Sequence, residues 1–292
     1  MGASLSLALS ACTARYHMPS TYARHWTTCR NATMVPPYNA LLAYNAVRRV
    51  NKQRIPGDIV EAGVWAGGVS CFMAKAQRYG TMARRHWLYD TYEGMPQPTQ
   101  EDDRRSRRLW RLVTNGSIAP RSVPGPVRDK RWSYAPLEDV RQTMRRAASE
   151  ASVFVKGKVE ETLRSGAHQL PSQIAVLRLD TDWYASTKAE LELLWPRLSP
   201  GGWLYIDDYG SFAGARKAVD QWLEANGWTR QAHEARAFKT GRVNPKDVGD
   251  DQQGSFHVMK SRPFNASRPF DLSSESVWAL HRMAHAGHAS SS

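Results

Sequence analysis

The chain has 292 residues, of which 41% are hydrophobic, so it can bury one large core or two small ones. Its 40 Lys and Arg against 27 Asp and Glu give a formal charge of +13, which attracts phosphates and other anions. No apolar run approaches the ~20 residues that cross a bilayer, so we expect no membrane-spanning segment. The three cysteines contain no CxxC pair, which indicates neither a disulfide framework nor a zinc site and favours a reducing cytoplasm.

Much of the positive charge lies in the middle of the chain, between residues 103 and 146. Three interpretations of this segment stay open: a solvated face, a basic insertion that covers an acidic pocket, and a groove for nucleic acid. Runs of charge are usually solvated, so the first interpretation is favoured.

Predicted helices and strands alternate from residue 36 onwards. Residues 1–32 are expected to form a partly disordered N-terminal extension, and residues 36–50 carry apolar positions at helical spacing. Such alternation predicts a doubly wound, mostly parallel α/β sheet with ligands bound beyond the carboxyl ends of its strands. In chain order we predict strand 56–63, helix 68–79, strand 86–90, helix 137–148, strand 152–156, strand 174–179, helix 186–198, strand 201–206 and helix 212–226.

Three segments depart from this alternation. Residues 91–136, with an Arg- and Pro-rich insertion at about 97–136, are too long for a bare connection, so we expect a lid, an excursion or a mobile loop. The Ala-Phe-Lys stretch near residue 238 and residues 255–260 are candidates for a terminal hairpin. The tail at 261–292 is expected to be poorly ordered.

A glycine-rich turn follows the first predicted strand and reads Glu61-Ala-Gly63-Val-Trp-Ala-Gly-Gly. It leads into a helix N-terminus, where backbone N–H groups can approach a ligand closely, but it lacks the G-x-G-x-x-G pattern of dinucleotide sites. Glu61 would repel a pyrophosphate and suit a cationic amine, while Asp90 stands where such folds bind ribose hydroxyls. The implied ligand has a cationic end and a ribose, and S-adenosylmethionine fits that description better than a nicotinamide or a nucleotide triphosphate. Both the glycine-rich turn and Asp90 have a structural alternative, because glycines also form tight turns and aspartates at strand ends also cap helices.

Two apolar runs each end abruptly in a pair of acidic residues: Asp180 and Asp182 in the first, Asp207 and Asp208 in the second. Buried parallel strands end in this way when they deliver carboxylates to a site, and neighbouring strands lie ~4.8 Å apart. Clustered carboxylates repel one another unless a cation compensates, and all-oxygen ligation favours Mg²⁺, Mn²⁺ or Ca²⁺ over zinc. The four acids therefore predict a cation site with one aspartate left to accept a substrate proton.

These motifs together resemble the macrocin O-methyltransferase family, whose members methylate sugar hydroxyls of natural products. The resemblance covers about residues 33–222. It implies a class I, Rossmann-like methyltransferase fold with a seven-stranded sheet and an N-terminal helical lid, in a domain at 33–260. Five motifs carry it in order, at residues 57–68, 90–96, 155–163, 177–187 and 206–210.

The resemblance also implies roles for individual residues. Asp180, Asp207 and Asp208 look like Mg²⁺ ligands, and Asp182 looks like the general base. The implied reaction is a Mg²⁺-dependent methylation, by S-adenosylmethionine, of a hydroxyl on a sugar or glycosylated metabolite. Nine residues look like cofactor contacts: Thr33, Met34, Glu61, Gly63, Val64, Trp65, Ser70, Asp90 and Thr91.

Two other functional classes stay open from the residues alone. The pair Asp180 and Asp182 after an apolar strand also resembles the metal motif of nucleotide-sugar glycosyltransferases, although that class does not need the second acid pair. The net charge, with Trp110 and Trp132 among arginines, is typical of an RNA-binding or RNA-modifying protein. As partner we expect a small sugar-containing acceptor, with no membrane and no nucleic acid, and a homo-oligomer stays open.

Overall fold

The computed structural model describes residues 20–118, 131–149, 151–167, 170–226 and 256–259. Within these ranges the strands form one sheet in the order β3-β2-β1-β4-β5-β6. The first five are parallel, and β6 is antiparallel to β5. The predicted doubly wound, mostly parallel α/β fold is thus confirmed. The strands are β1 (Asp58–Ala62), β2 (His86–Asp90), β3 (Ser152–Lys156), β4 (Ile174–Leu179), β5 (Leu198–Ile206) and β6 (Phe256–Met259).

Helices cover both faces of this sheet. Successive residues of a strand point to opposite faces, so Ile59 packs in one hydrophobic cluster and Val60 in the other. All six residues of β4 are buried, as expected for a central parallel strand covered on both sides. The helices are α1 (Ser20–Cys29), α2 (Pro37–Lys52), α3 (Gly68–Gln77), α4 (Arg104–Thr114), α5 (Leu137–Arg146), α6 (Val159–Thr162), α7 (Tyr184–Leu193) and α8 (Ala213–Ala225).

The strand order reverses between β1 and β4, which is the topological switch point of the sheet. At a switch point the connections leave in opposite directions, and a crevice opens beyond the carboxyl ends of the strands. The segments that follow β1, β2, β4 and β5 therefore meet at one edge. These four segments, with the strand ends that precede them, contain the candidate site residues other than Thr33 and Met34.

The resemblance implied seven strands, and the described residues contain six of them. β6 corresponds to the second half of the predicted terminal hairpin, whereas the stretch near residue 238 lies outside the described residues. A seventh strand therefore stays a prediction. The domain limits at 33 and 260 also stay predictions, although α1 lies before residue 33 and its Tyr22 ring packs on Tyr44 and Phe72.

The insertion contains a helix that the sequence analysis did not predict. Asp103 begins α4 as its N-cap and accepts a hydrogen bond from the Ser106 backbone N–H at 2.8 Å. The indole of Trp110 donates to the backbone oxygen of Met95 at 3.1 Å, which holds the helix against the preceding loop. Five of the eleven residues of α4 are arginines, and its buried residues are Ser106 and Val113. A helix with so few buried apolar residues shows little apolar periodicity in the sequence.

Cys29 and Cys71 form a disulfide bond, which corrects the expectation that the cysteines are unpaired. Their Cα atoms are 5.7 Å apart, and the bond joins the end of α1 to α3. A cross-link across a sequence separation of 42 residues contributes about 4 kcal/mol in the chain-entropy description. The cysteines therefore no longer argue for a reducing compartment, and the cytoplasmic location stays a prediction.

No helix in the described part of the chain has both the length and the apolar character that a membrane crossing requires.

Candidate active site

Three aspartates meet where β4 and β5 end. The Asp180 N–H donates to Ala62 at 2.8 Å and the Asp207 N–H donates to Leu179 at 3.0 Å, so both residues continue the sheet hydrogen bonding. Asp208 then begins a 3₁₀ turn that carries its carboxylate back to the same edge. One carboxylate oxygen from each of Asp180, Asp207 and Asp208 lies within 4.8 Å of the others. The structure thus brings together the three residues predicted as metal ligands.

The chemistry of this cluster fits a hard divalent cation. Burial and the neighbouring carboxylates of Asp207 and Asp208 raise the pKa of Asp180, against the opposing charge of Arg178. Burial and the contact with Asp182 likewise raise the pKa of Asp208. The Oδ2 atom of Asp208 is buried and has no hydrogen-bond partner among the described residues. An ion bound by all-oxygen ligands, such as Mg²⁺, would relieve both the repulsion and the unpaired oxygen.

Asp182 lies beside the three aspartates without belonging to their ligand group, and it has an unusual backbone. Its φ of +67° lies in the left-handed region, which costs a residue with a side chain about 1 kcal/mol or more. A tight turn forms here, closed by the Trp183 N–H donating to the backbone oxygen of Thr181 at 2.8 Å. The carboxyls of Asp182 and Asp208 share a hydrogen bond, and burial raises the pKa of Asp182 to about 7. A carboxyl that titrates near neutrality is suited to accept a proton.

The glycine-rich turn after β1 packs directly against the residue that follows β4. Gly63 has a φ of +81°, and a Cβ atom at this position would overlap the backbone oxygen of Asp180. Glycine is therefore required both by the backbone conformation and by the close approach of the two segments. The turn predicted to contact the cofactor and the carboxylates predicted to bind the metal are consequently adjacent.

Asp90 organises the glycine-rich turn. Its Oδ2 accepts from the backbone N–H groups of Val64 at 2.7 Å and Trp65 at 2.9 Å, and its Oδ1 accepts from Tyr92 at 2.8 Å. The Thr91 hydroxyl beside it lies 3.4 Å from the Asp90 carboxylate. These bonds engage the two backbone N–H groups that the sequence analysis offered to a ligand, so the ribose contact of Asp90 stays a prediction.

Glu61 is 1% exposed, and both of its carboxylate oxygens are engaged within the protein. Its Oε1 accepts from Arg178 Nη1 at 2.6 Å, and its Oε2 accepts from the Ser70 hydroxyl. The predicted direct contact between Glu61 and a cofactor amine therefore has no support in this geometry. Glu61 instead connects the glycine-rich turn to Arg178, a site residue that the sequence analysis missed.

The segment around Thr33 lies on the N-terminus of α3. A Cβ atom at Gly68, the first residue of that helix, would overlap the backbone oxygen of Ala32, so the two segments touch. The Thr33 hydroxyl accepts from the Val35 N–H at 3.0 Å, and the Met34 side chain is 51% exposed. Thr33 and Met34 are thus close to the glycine-rich turn, as a segment that covers the cofactor must be.

The family of this chain is decided by a match to the family model described as Macrocin-O-methyltransferase (TylF), which covers residues 28–123 and 126–235. The chain belongs to the macrocin O-methyltransferase family. It is accordingly an S-adenosylmethionine-dependent O-methyltransferase, and the glycosyltransferase alternative is not supported. The roles of individual residues and the binding of nucleic acid stay predictions.

Two individual relatives agree with this assignment, and a solved structure agrees with the fold. The 8-demethyl-8-(2,3-dimethoxy-α-L-rhamnosyl)-tetracenomycin-C 4'-O-methyltransferase of Streptomyces olivaceus is 36% identical over 213 residues, 68% of this chain and 75% of the relative. Mycinamicin III 3''-O-methyltransferase of Micromonospora griseorubida is 28% identical over 185 residues, 63% of this chain and 66% of the relative. The structure of the O-methyltransferase NovP matches with a TM-score of 0.57 and 23% identity, over 89% of this chain and 99% of that chain, and supports the fold.

Three aromatic rings that the sequence analysis did not assign to the site form a cluster that includes Trp183, the residue after Asp182. The Trp183 ring packs edge to face against Trp132 at 5.9 Å and Phe212 at 5.3 Å. The Trp183 indole donates to the backbone oxygen of Pro96 at 2.9 Å, which fixes the insertion against the site. Trp183 is buried, whereas Trp132 and Phe212 are partly exposed, so contact with a bound molecule is open to these last two residues.

Glu190 in α7 should make stability depend on pH. This side chain is fully buried, its Oε1 accepts from the Thr181 hydroxyl at 2.9 Å, and burial raises its pKa from 4.5 to about 8. Because the folded state keeps a proton that the unfolded state loses, the free energy of unfolding should fall between about pH 4.5 and pH 8. At about 1.4 kcal/mol per unit of pKa shift, the loss amounts to a few kcal/mol.

The variant Glu190→Gln should remove this dependence, because glutamine resembles the protonated side chain at every pH. Urea unfolding at pH 6 and pH 9 measures the pH dependence of the free energy of unfolding. The variant should gain stability relative to the wild type as pH rises. Glu224→Gln on the exposed part of α8 is the matched control and should leave the slope unchanged. Equal pH slopes in the wild type and Glu190→Gln would contradict the assignment.

Proposed function

We propose that this enzyme transfers the methyl group of S-adenosylmethionine to a hydroxyl of a sugar or of a glycosylated metabolite, with Mg²⁺ bound at the carboxylate cluster and Asp182 as general base. The observation that carries the proposal is the convergence of Asp180, Asp207 and Asp208 beside Asp182 at the edge that also holds the glycine-rich turn.

The acceptor class is supported by the named activities of two relatives. One is named as the 4'-O-methyltransferase of a rhamnosyl-tetracenomycin and the other as the 3''-O-methyltransferase of mycinamicin III, so the acceptor in the first name carries a deoxyhexose. A deoxyhexose offers neighbouring hydroxyls, and two adjacent oxygens are a common binding mode for a divalent cation. The aromatic rings of Trp132 and Phe212 would pack against the apolar part of such an acceptor.

In the proposed mechanism, Asp180, Asp207 and Asp208 would hold the metal, which would supply Lewis-acid chemistry that favours the ionised form of an acceptor hydroxyl. Asp182, which lies beside Asp208, would remove the proton from that hydroxyl. The acceptor oxygen then forms a bond to the methyl carbon as the bond from carbon to sulfur breaks. S-adenosylhomocysteine leaves with the electron pair of that bond on sulfur.

Two measurements test the proposal. The first is calorimetric titration with S-adenosylmethionine, once with Mg²⁺ and once with EDTA. The second is the transfer of labelled methyl groups to a panel of phenyl deoxyhexosides under the same two conditions. We expect S-adenosylmethionine to bind in both conditions and methyl transfer to require Mg²⁺. Transfer that persists after chelation would contradict the metal role. Cofactor binding without transfer to any glycoside of the panel would contradict the proposed acceptor class.

A further inference from the structure

We propose that Arg178 is a built-in counter-cation of the carboxylate cluster, which stabilises the cluster without metal and weakens its affinity for Mg²⁺, so that the ion exchanges instead of being held permanently. This inference rests on the proposed Mg²⁺ site, because it concerns how tightly that site binds its ion.

Arg178 is placed where its charge acts on the whole cluster. It belongs to the buried strand β4 and is 1% exposed. Its Nη1 donates to Glu61 at 2.6 Å and to Asp180 at 2.7 Å, and its Nη2 donates to Asp207 at 3.1 Å. A single guanidinium therefore binds one acid of the glycine-rich turn and two of the three predicted metal ligands.

The surrounding charges explain why a cation is needed there. Glu61, Asp180, Asp182, Asp207 and Asp208 are five carboxyls in one largely buried region, and Arg178 is the described cation that bonds to three of them, Glu61, Asp180 and Asp207. Guanidinium does not lose its proton in proteins, so its charge is permanent. Without it, the carboxylates would repel one another and the folded state would lose stability.

The same charge opposes a metal ion. Mg²⁺ bound to Asp180 and Asp207 would lie on carboxylates that each accept a hydrogen bond from Arg178, so two cations would share the same ligands. The other oxygen of Asp207 accepts from the neutral side chains of Tyr205 and Asn39. Like charges a few ångströms apart in a buried site repel strongly. Arg178 and Mg²⁺ therefore compensate the same negative charge, and the presence of Arg178 lowers the affinity of the cluster for Mg²⁺.

The test uses the full chain, stripped with EDTA and titrated with Mg²⁺ alone in the absence of S-adenosylmethionine. Arg178→Met removes the charge and keeps much of the side-chain volume, and Arg178→Lys keeps the charge. Without metal, Arg178→Met should unfold at a lower temperature than the wild type, and Mg²⁺ should restore most of that loss. Its calorimetric Kd for Mg²⁺ should be about tenfold lower or more, whereas Arg178→Lys should stay close to the wild type.

Arg84 offers a matched control at the opposite end of the sheet. It is also buried, but it donates to the Asn51 side chain at 2.9 Å and to backbone oxygens such as that of Ile55 at 2.6 Å, with no carboxylate bound directly. Arg84→Met should lower the unfolding temperature, and Mg²⁺ should not restore it. The comparison of the two variants separates the effect of removing a buried arginine in general from the effect of removing a counter-cation of the carboxylates.

The outcomes distinguish this inference from the proposed function. If the wild type binds Mg²⁺ and Arg178→Met binds it equally or more weakly, the counter-cation role is wrong while the metal site stands. An Arg178→Met protein that fails to fold even with Mg²⁺ would also overturn the inference, since the ion should replace the missing charge. If neither the wild type nor the variant binds Mg²⁺, the metal site itself is wrong.

Discussion

Asp182→Asn should lower kcat by about 10²- to 10⁴-fold and leave the affinity for S-adenosylmethionine unchanged. The substitution removes the group that accepts the acceptor proton while keeping its size and one carbonyl oxygen. Asparagine also tolerates the left-handed backbone better than most residues, so the φ of +67° at this position can be kept. The expected defect is therefore chemical and not conformational.

Single-turnover methyl transfer and calorimetric binding of S-adenosylmethionine measure the two halves of this expectation separately. Asp139→Asn changes an exposed carboxylate of α5 and serves as the charge-matched control, with no expected effect on either. Transfer within about tenfold of the wild type would show that another group accepts the proton, because a general base contributes at least 10²-fold. A parallel loss of cofactor affinity would assign Asp182 a role in shaping the site.

The positions of the acidic residues could be predicted from the sequence because one physical rule connects them. A parallel strand buried on both faces is apolar along its length, so the first charged residues mark its carboxyl end. Carboxyl ends of neighbouring parallel strands meet at one edge, which brought Asp180, Asp207 and Asp208 together without knowledge of any side-chain contact. The alternation of predicted helices and strands likewise indicated a parallel sheet, because alternating strands and helices are typical of α/β folds with such a sheet.

Interactions between distant residues could not be predicted in this way. The pairing of Arg178 with Glu61 joins residues 117 positions apart, and the disulfide joins Cys29 to Cys71 across 42. Neither partner identifies the other by local pattern or spacing. An arginine inside an otherwise apolar strand was nevertheless a visible signal, because a buried charge requires a partner. Applied to Arg178, that rule would have predicted a bound carboxylate.

Gly63→Ala should lower the free energy of unfolding by about 4 kcal/mol or more and abolish binding of S-adenosylmethionine. An added Cβ would overlap the backbone oxygen of Asp180, and neither backbone segment can rotate away as a flexible side chain can. The φ of +81° adds about 1 kcal/mol of strain for a residue with a side chain. Relief requires the turn and the end of β4 to separate, which displaces the proposed cofactor and metal sites together.

Gly166→Ala separates the overlap from the backbone strain. Gly166 also has a positive φ, +66°, but a Cβ there would have no described atom within 4 Å. This control should lose only about 1 kcal/mol and keep full cofactor affinity. Urea unfolding gives the two stabilities, and calorimetry gives the two affinities. If both variants lose the same stability, the conformation of Gly63 matters and its contact with Asp180 does not. A loss confined to Gly63→Ala would instead mean that the glycine-rich turn and the carboxylate cluster are held as one unit, in which a shift of either changes both.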